Sequence, residues 1–163
     1  MNYIVTAVCT LILGLALHAE ELKVVAKNFE ADEQKGYTVF TGDVVMTKGS
    51  DEFNASKVTV YVDKNRKPTK FIAVGDASFK ITTMTGDRYA GTAQEVRFFP
   101  QKKEYHFYTD VHIHQLNKQK EINGDEVIVD LIEGRAFAKG AEKKPVIMIF
   151  NIDDANQSDD RDR

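Results

Sequence analysis

His106, His112 and His114 are the side chains of this 163-residue chain best suited to hold a metal or move a proton near neutral pH. On an extended strand, residues 112 and 114 project from one face, so two imidazoles could share an ion. That face is opposite Val111 and Ile113, hence toward solvent, and no cysteine nearby completes a ligand set. Surface histidines are the favoured reading; an enzyme would need His106 to meet His112 or His114 in a pocket. Asp43, Asp76 and Asp110 could form a carboxylate array. Each follows Gly or Thr at the start of a strand-like phrase, where a side-chain oxygen satisfies turn backbone groups. Acid–base catalysis needs two carboxylates converging on one pocket, whereas a repeat sets equivalents in a row. They read as structural turn residues. Serine-nucleophile, phosphate-loop and zinc-hydrolase signatures are absent, and Gly75 and Gly91 fit turns or a close backbone approach. The residues point to no catalytic centre, no metal and no cofactor.

What positions these residues is a repeat. Gly42-Asp43-Val44-Val45-Met46 recurs as Gly75-Asp76-Ala77-Ser78-Phe79 and as Thr109-Asp110-Val111-His112-Ile113. A second phrase follows each copy: Ala55-Ser56-Lys57-Val58-Thr59-Val60, Ala93-Gln94-Glu95-Val96-Arg97-Phe98 and Gly124-Asp125-Glu126-Val127-Ile128-Val129. The aspartates stand about 33 residues apart, within the range of stacked repeats. Apolar and polar residues alternate through both phrases, which is strand periodicity. Strands are predicted over 22–25, 29–32, 37–47, 53–62, 70–74, 77–83, 89–99, 105–115, 121–131, 135–139 and 146–152, with no helical stretch. Short strands at regular turn spacing predict an all-β fold. Strand phase puts Phe40, Val44 and Met46 on one face, with Val58, Val60, Phe79, Val96, Phe98, Val111, Ile113, Val127 and Val129 forming the same apolar wall.

At 42% apolar residues the chain can bury one core, and a formal charge of −3 speaks against nucleic acid. The cluster Lys64-Asn65-Arg66-Lys67 lies among turn residues and reads as a solvated loop. Residues 2–17 carry no charge; an apolar run of about 14 residues suits an export signal better than a membrane span. Cleavage after Ala19 would remove Cys9, the only cysteine, leaving stability to the core. The alternative is an uncleaved anchor. Three segments follow: a signal peptide at 1–19, a β domain at 20–152 and a disordered acidic tail at 153–163.

The phrases around Gly42, Ala55 and Gly75, together with Tyr89-Ala90-Gly91-Thr92-Ala93, resemble the OstA-like family of lipopolysaccharide-transport proteins of Gram-negative bacteria. The resemblance runs from about residue 22 to residue 152. It implies a β-jellyroll of two antiparallel sheets in an open V, whose apolar interior shields the acyl chains of lipid A. Phe79 and Phe98 match interior residues near the lipid; Val44, Met46, Val58, Val60, Val96, Val111, Ile113, Val127 and Val129 join them by strand phase alone. Leu22 and Val24 match the first strand, which meets an upstream LptC-like inner-membrane protein. Residues 144–150, with Val146, Met148 and Phe150, match the last strand, which docks on the next copy, head-to-tail, or on an LptD-like outer-membrane translocon. The role implied is a periplasmic bridge between the two membranes, driven by an ATP-consuming partner. Two alternatives stay open: a membrane-tethered LptC-like component of the same pathway, and a structural β-repeat scaffold with a closed core.

Overall fold

A computed structural model describes residues 21–150; the expected export segment with Cys9 and the expected acidic tail lie outside the described residues. The chain forms strands β1 (Leu22–Val25), β2 (Asn28–Asp32), β3 (Tyr37–Lys48), β4 (Asp51–Val62), β5 (Pro68–Thr82), β6 (Arg88–Phe99), β7 (Glu104–Gln115), β8 (Lys120–Asp130), β9 (Arg135–Lys139) and β10 (Ile147–Phe150). They make one antiparallel sheet in the order β1-β3-β4-β5-β6-β7-β8-β10, with β2 beside β3 and β9 beside β8.

Each odd long strand carries a two-residue bulge at the recurring phrase. Thr41 pairs with Lys57 and Val44 with Ala55, so Gly42 and Asp43 together face Ser56. Gly75 and Asp76 face Gln94 in the same way, and Thr109 and Asp110 face Asp125. All six bulge residues have positive φ, from 46° at Asp43 to 87° at Gly75. The bulges line up across the sheet and bend every long strand at mid-length, as bulges do. The aspartates are therefore structural, but they sit inside strands rather than at turns. The segments predicted at 70–74 and 77–83 are accordingly one strand, β5, running through its bulge. A four-residue step on odd strands (Phe107 to Val111) matches a three-residue step on even ones (Ala93 to Val96). Inward residues continue past the corner on both: the period-two phase is kept on odd strands and slips by one residue on even ones.

The bend folds the sheet into two facing layers. Rings meet across the interior from strands that are not neighbours: Phe79 of β5 stacks on Phe107 of β7 at 4.3 Å, and Phe53 of β4 on Tyr105 at 5.3 Å. The turns at 49–50, 83–87 and 116–119 form one lip of the fold; those at 63–67, 100–103 and 131–134 form the other. Both lips lie away from the bulge row. Val44, Val58, Phe79, Val96, Val111, Ile113, Val127 and Val129 are buried together in the core with Met46, and Phe40, Val60 and Phe98 pack against it.

Candidate functional site

The bulge row is pinned by polar contacts on its convex side. Asp43 meets Lys27, from the link between β1 and β2, at 2.6 Å, and Asp110 meets Lys144, from the link between β9 and β10, at 3.2 Å. The middle aspartate, Asp76, accepts from Gln94 Nε2 at 3.0 Å. The hydrogen bond and charge of Lys27 hold the Asp43 carboxyl below the usual range, but both partners are largely exposed, so the pair contributes little stability. Asp43 and Asp110 tie the edge-strand links to the corner, Asp76 bonds within the sheet, and the three form no convergent pair.

The histidines are likewise spread out. His106 lies on the outer face of one layer, 3.1 Å from Glu104 and 3.3 Å from Tyr108 Oη. Beyond the Thr109-Asp110 bulge, His112 and His114 lie on the outer face of the other layer, against Asn123 at 2.6 Å and Glu121 at 3.3 Å. They share that face, as strand phase requires, and do not meet His106. Among the described residues, no cluster of three or more His, Cys, Asp or Glu could hold a metal.

Among the described residues, a cavity of about 560 Å³ lies between the two layers, toward the lips and the β1 end. That is within the usual range for ligand pockets. Met46, Phe53, Phe71, Ala73, Val96, Phe98, Tyr105 and Leu131 supply its apolar walls, and Leu22 stands at its β1 side. Thr47, Lys48, Ser50, Asp51, Thr82, Thr83 and Lys103 supply the polar rim. Burial, aided by the charge of Asp51, pushes the Tyr105 phenol far up, so the ring lines the wall as a neutral group. The lips touch beyond the cavity: Lys103 Nζ reaches Met84 Sδ at 3.8 Å, and Gly134 lies against Thr85.

Of the wall residues expected from strand phase and resemblance, Met46, Val96 and Phe98 line this cavity. Val44, Val58, Val60, Phe79, Val111, Ile113, Val127 and Val129 lie in the packed interior beside it. Phe53, Phe71 and Tyr105 also line it and were not singled out from sequence, although the same alternation contains them: Phe71 pairs with Phe98, and Phe98 with Tyr105. The residues expected at partner edges lie on or beside the terminal strands. Leu22 and Val24 are on β1, Met148 and Phe150 on β10, and Val146 just before it. Each end of the fold presents strands with one unpaired edge, β1 and β2 at one end, β9 and β10 at the other. All four residues of β10 are about half exposed, whichever face they occupy.

A family model described as LptA/(LptD N-terminal domain) LPS transport protein matches residues 23–135. The lipopolysaccharide export system protein LptH of Pseudomonas aeruginosa is 33% identical over 70 residues, which is 41% of this chain and 40% of that protein. The chain thus aligns with about two fifths of that relative's length. The crystal structure of LptH, described as the LptA-homologous periplasmic component of the lipopolysaccharide transport device of Pseudomonas aeruginosa, superposes with a TM-score of 0.72. The superposition has 20% identity and covers 82% of this chain and 96% of that one. At that identity the likeness shows the fold, and the expected OstA-like β-jellyroll is the architecture found. The family is one of transport proteins, not enzymes. Its model spans most of the folded chain, from β1 to the start of β9: the chain belongs to the LptA/(LptD N-terminal domain) family of LPS transport proteins.

Proposed function

We propose that this protein carries lipopolysaccharide through the periplasm, holding lipid A acyl chains between its two layers and passing them from an inner-membrane to an outer-membrane partner. The observation that carries this reading is the apolar cavity walled by Phe53, Phe71, Phe98 and Tyr105 in a member of a lipopolysaccharide-transport family. Each methylene removed from water is worth about 0.8 kcal/mol, so an acyl chain cannot leave a membrane at a useful rate without such shelter. The packed residues beside the cavity extend the apolar surface that becomes available if the lips part. Unpaired strand edges are an aggregation hazard in most sheets. Here β1 and β10 offer them at opposite ends, which suits head-to-tail strand addition to copies of itself, to an LptC-like protein and to an LptD-like translocon. Residues 1–19 act as a cleaved export signal.

Purified protein mixed with lipopolysaccharide in detergent-free buffer tests the carrier role. Lipopolysaccharide should elute at the size of the protein, and Val24→Asp should abolish end-to-end contact and transfer to a partner. Elution of all lipopolysaccharide as free micelles sinks the reading. An exported protein whose mass shows residues 2–17 retained favours the tethered alternative.

A further inference from the structure

The cavity has a charge bias at its mouth. Its charged lining residues are Lys48, Asp51 and Lys103, two cations against one anion. The Asp51 carboxylate accepts the Thr82 N–H at 2.8 Å, which ties it to the backbone. Lys103 ends the 100–103 turn with φ 53°, and its carbonyl accepts the Leu131 N–H at 3.0 Å, so the backbone beneath this side chain is fixed. Its ammonium meets Met84 Sδ at 3.8 Å. A thioether is an uncharged, weak acceptor, and Lys103 takes part in no ion pair among the described residues. An exposed cation thus stands over an apolar chamber with a poor partner.

We infer that Lys103 is the anion-contacting residue of the cavity, which takes an amphiphile whose acidic group meets this ammonium while an alkyl chain lies against Phe71, Phe98 and Tyr105. This rests on the lipid-carrier reading and adds the orientation of the lipid, acidic end outward at the lip. The cavity size fits one chain: at about 30 Å³ per water-sized group, it holds on the order of 18 methylenes. The chain supplies affinity, and the charge sets which end enters. An anionic oxygen is a far stronger partner for an ammonium than a sulfur is, so the ligand takes the place of Met84 at Lys103.

The test compares a fluorescent polyene fatty acid with its corresponding alcohol on the full chain, both read by fluorescence enhancement. The acid is expected to bind roughly tenfold more tightly than the alcohol. Lys103→Gln should remove that preference, and Lys103→Arg should keep it. In the unaltered protein, added salt should weaken the acid and leave the alcohol unmoved, a readout that does not depend on the Gln variant folding. Equal affinity for acid and alcohol, a preference that survives Lys103→Gln, or a preference insensitive to salt overturns the inference and leaves the carrier reading standing. Failure of both probes to bind overturns the carrier reading itself.

Discussion

Replacing Phe79 with alanine should lower stability and raise lipid capacity together. The ring is 3% exposed, stacks on Phe107 at 4.3 Å and faces Phe53 at 6.3 Å. Truncating a buried phenylalanine costs about 3–5 kcal/mol, part of it for the void left behind. Phe53 already lines the cavity, so the new space joins an existing one and its walls can relax. A loss of about 3–4 kcal/mol is expected, within that range. With a urea dependence of about 2 kcal/mol per molar, the unfolding midpoint should fall by roughly 1.5–2 M. A long-chain apolar ligand should then bind the variant more tightly than the unaltered protein. At about 100 times its dissociation constant it should restore about 2.7 kcal/mol. Urea titrations with and without ligand, followed by circular dichroism, read both effects. A midpoint shift below about 0.5 M, or weaker ligand binding by the variant, would refute the placement of Phe79 between packed interior and cavity.

Thr109 occupies a bulge position with φ 64° where the two sister repeats have glycine; Thr109→Gly should stabilise by about 1 kcal/mol, because left-handed backbone costs a side-chain-bearing residue roughly that much. A lower melting temperature for Thr109→Gly would count against strain at this bulge. Gly91 is needed for a different reason: a Cβ there would clash with the His112 carbonyl oxygen and lie 2.8 Å from Phe79 Cζ. Gly91→Ala should therefore cost about 1–3 kcal/mol in chemical unfolding, and a neutral outcome would mean the β6–β7 spacing is wrong. Tyr105 has its folded-state pKa raised by burial, above the unfolded value of about 10. Its stabilisation is complete below that pH and lost as pH rises beyond it, by up to about 1.4 kcal/mol per unit. Tyr105→Phe should flatten this alkaline fall, leaving the part due to Tyr89, which burial also raises; an unchanged slope would contradict the assignment.

Alternation made most of the fold legible. Period-two patterning in strands such as Tyr105 to Gln115 leaves only one way to bury Tyr105, Phe107, Val111 and Ile113 together, and β1 and β9 run over the residues the pattern predicts. What alternation could not convey was the corner. Gly75-Asp76 looks like a chain reversal in one dimension, because residues favouring positive φ serve turns and bulges alike. Only the pairing of two residues against Gln94 distinguishes them. The cavity was illegible for a related reason. Strand phase tells which side chains face inward, but not where two layers pack tightly and where they part. Phe79 and Phe98 have the same phase character, yet one is stacked in the core and the other lines open space. Lys103 carried no sequence signal at all, since a turn lysine acquires meaning only from the cavity beneath it.

The central claim is that lipopolysaccharide lies between the layers. Photo-crosslinking from a reactive residue placed at Phe71 or Phe98, with His112 on the outer face as control, tests it most directly. Lipopolysaccharide adducts should form at both inner positions and not at His112 when cells are illuminated. Folded protein that yields no adducts at Phe71 or Phe98, or that yields them equally at His112, would contradict it.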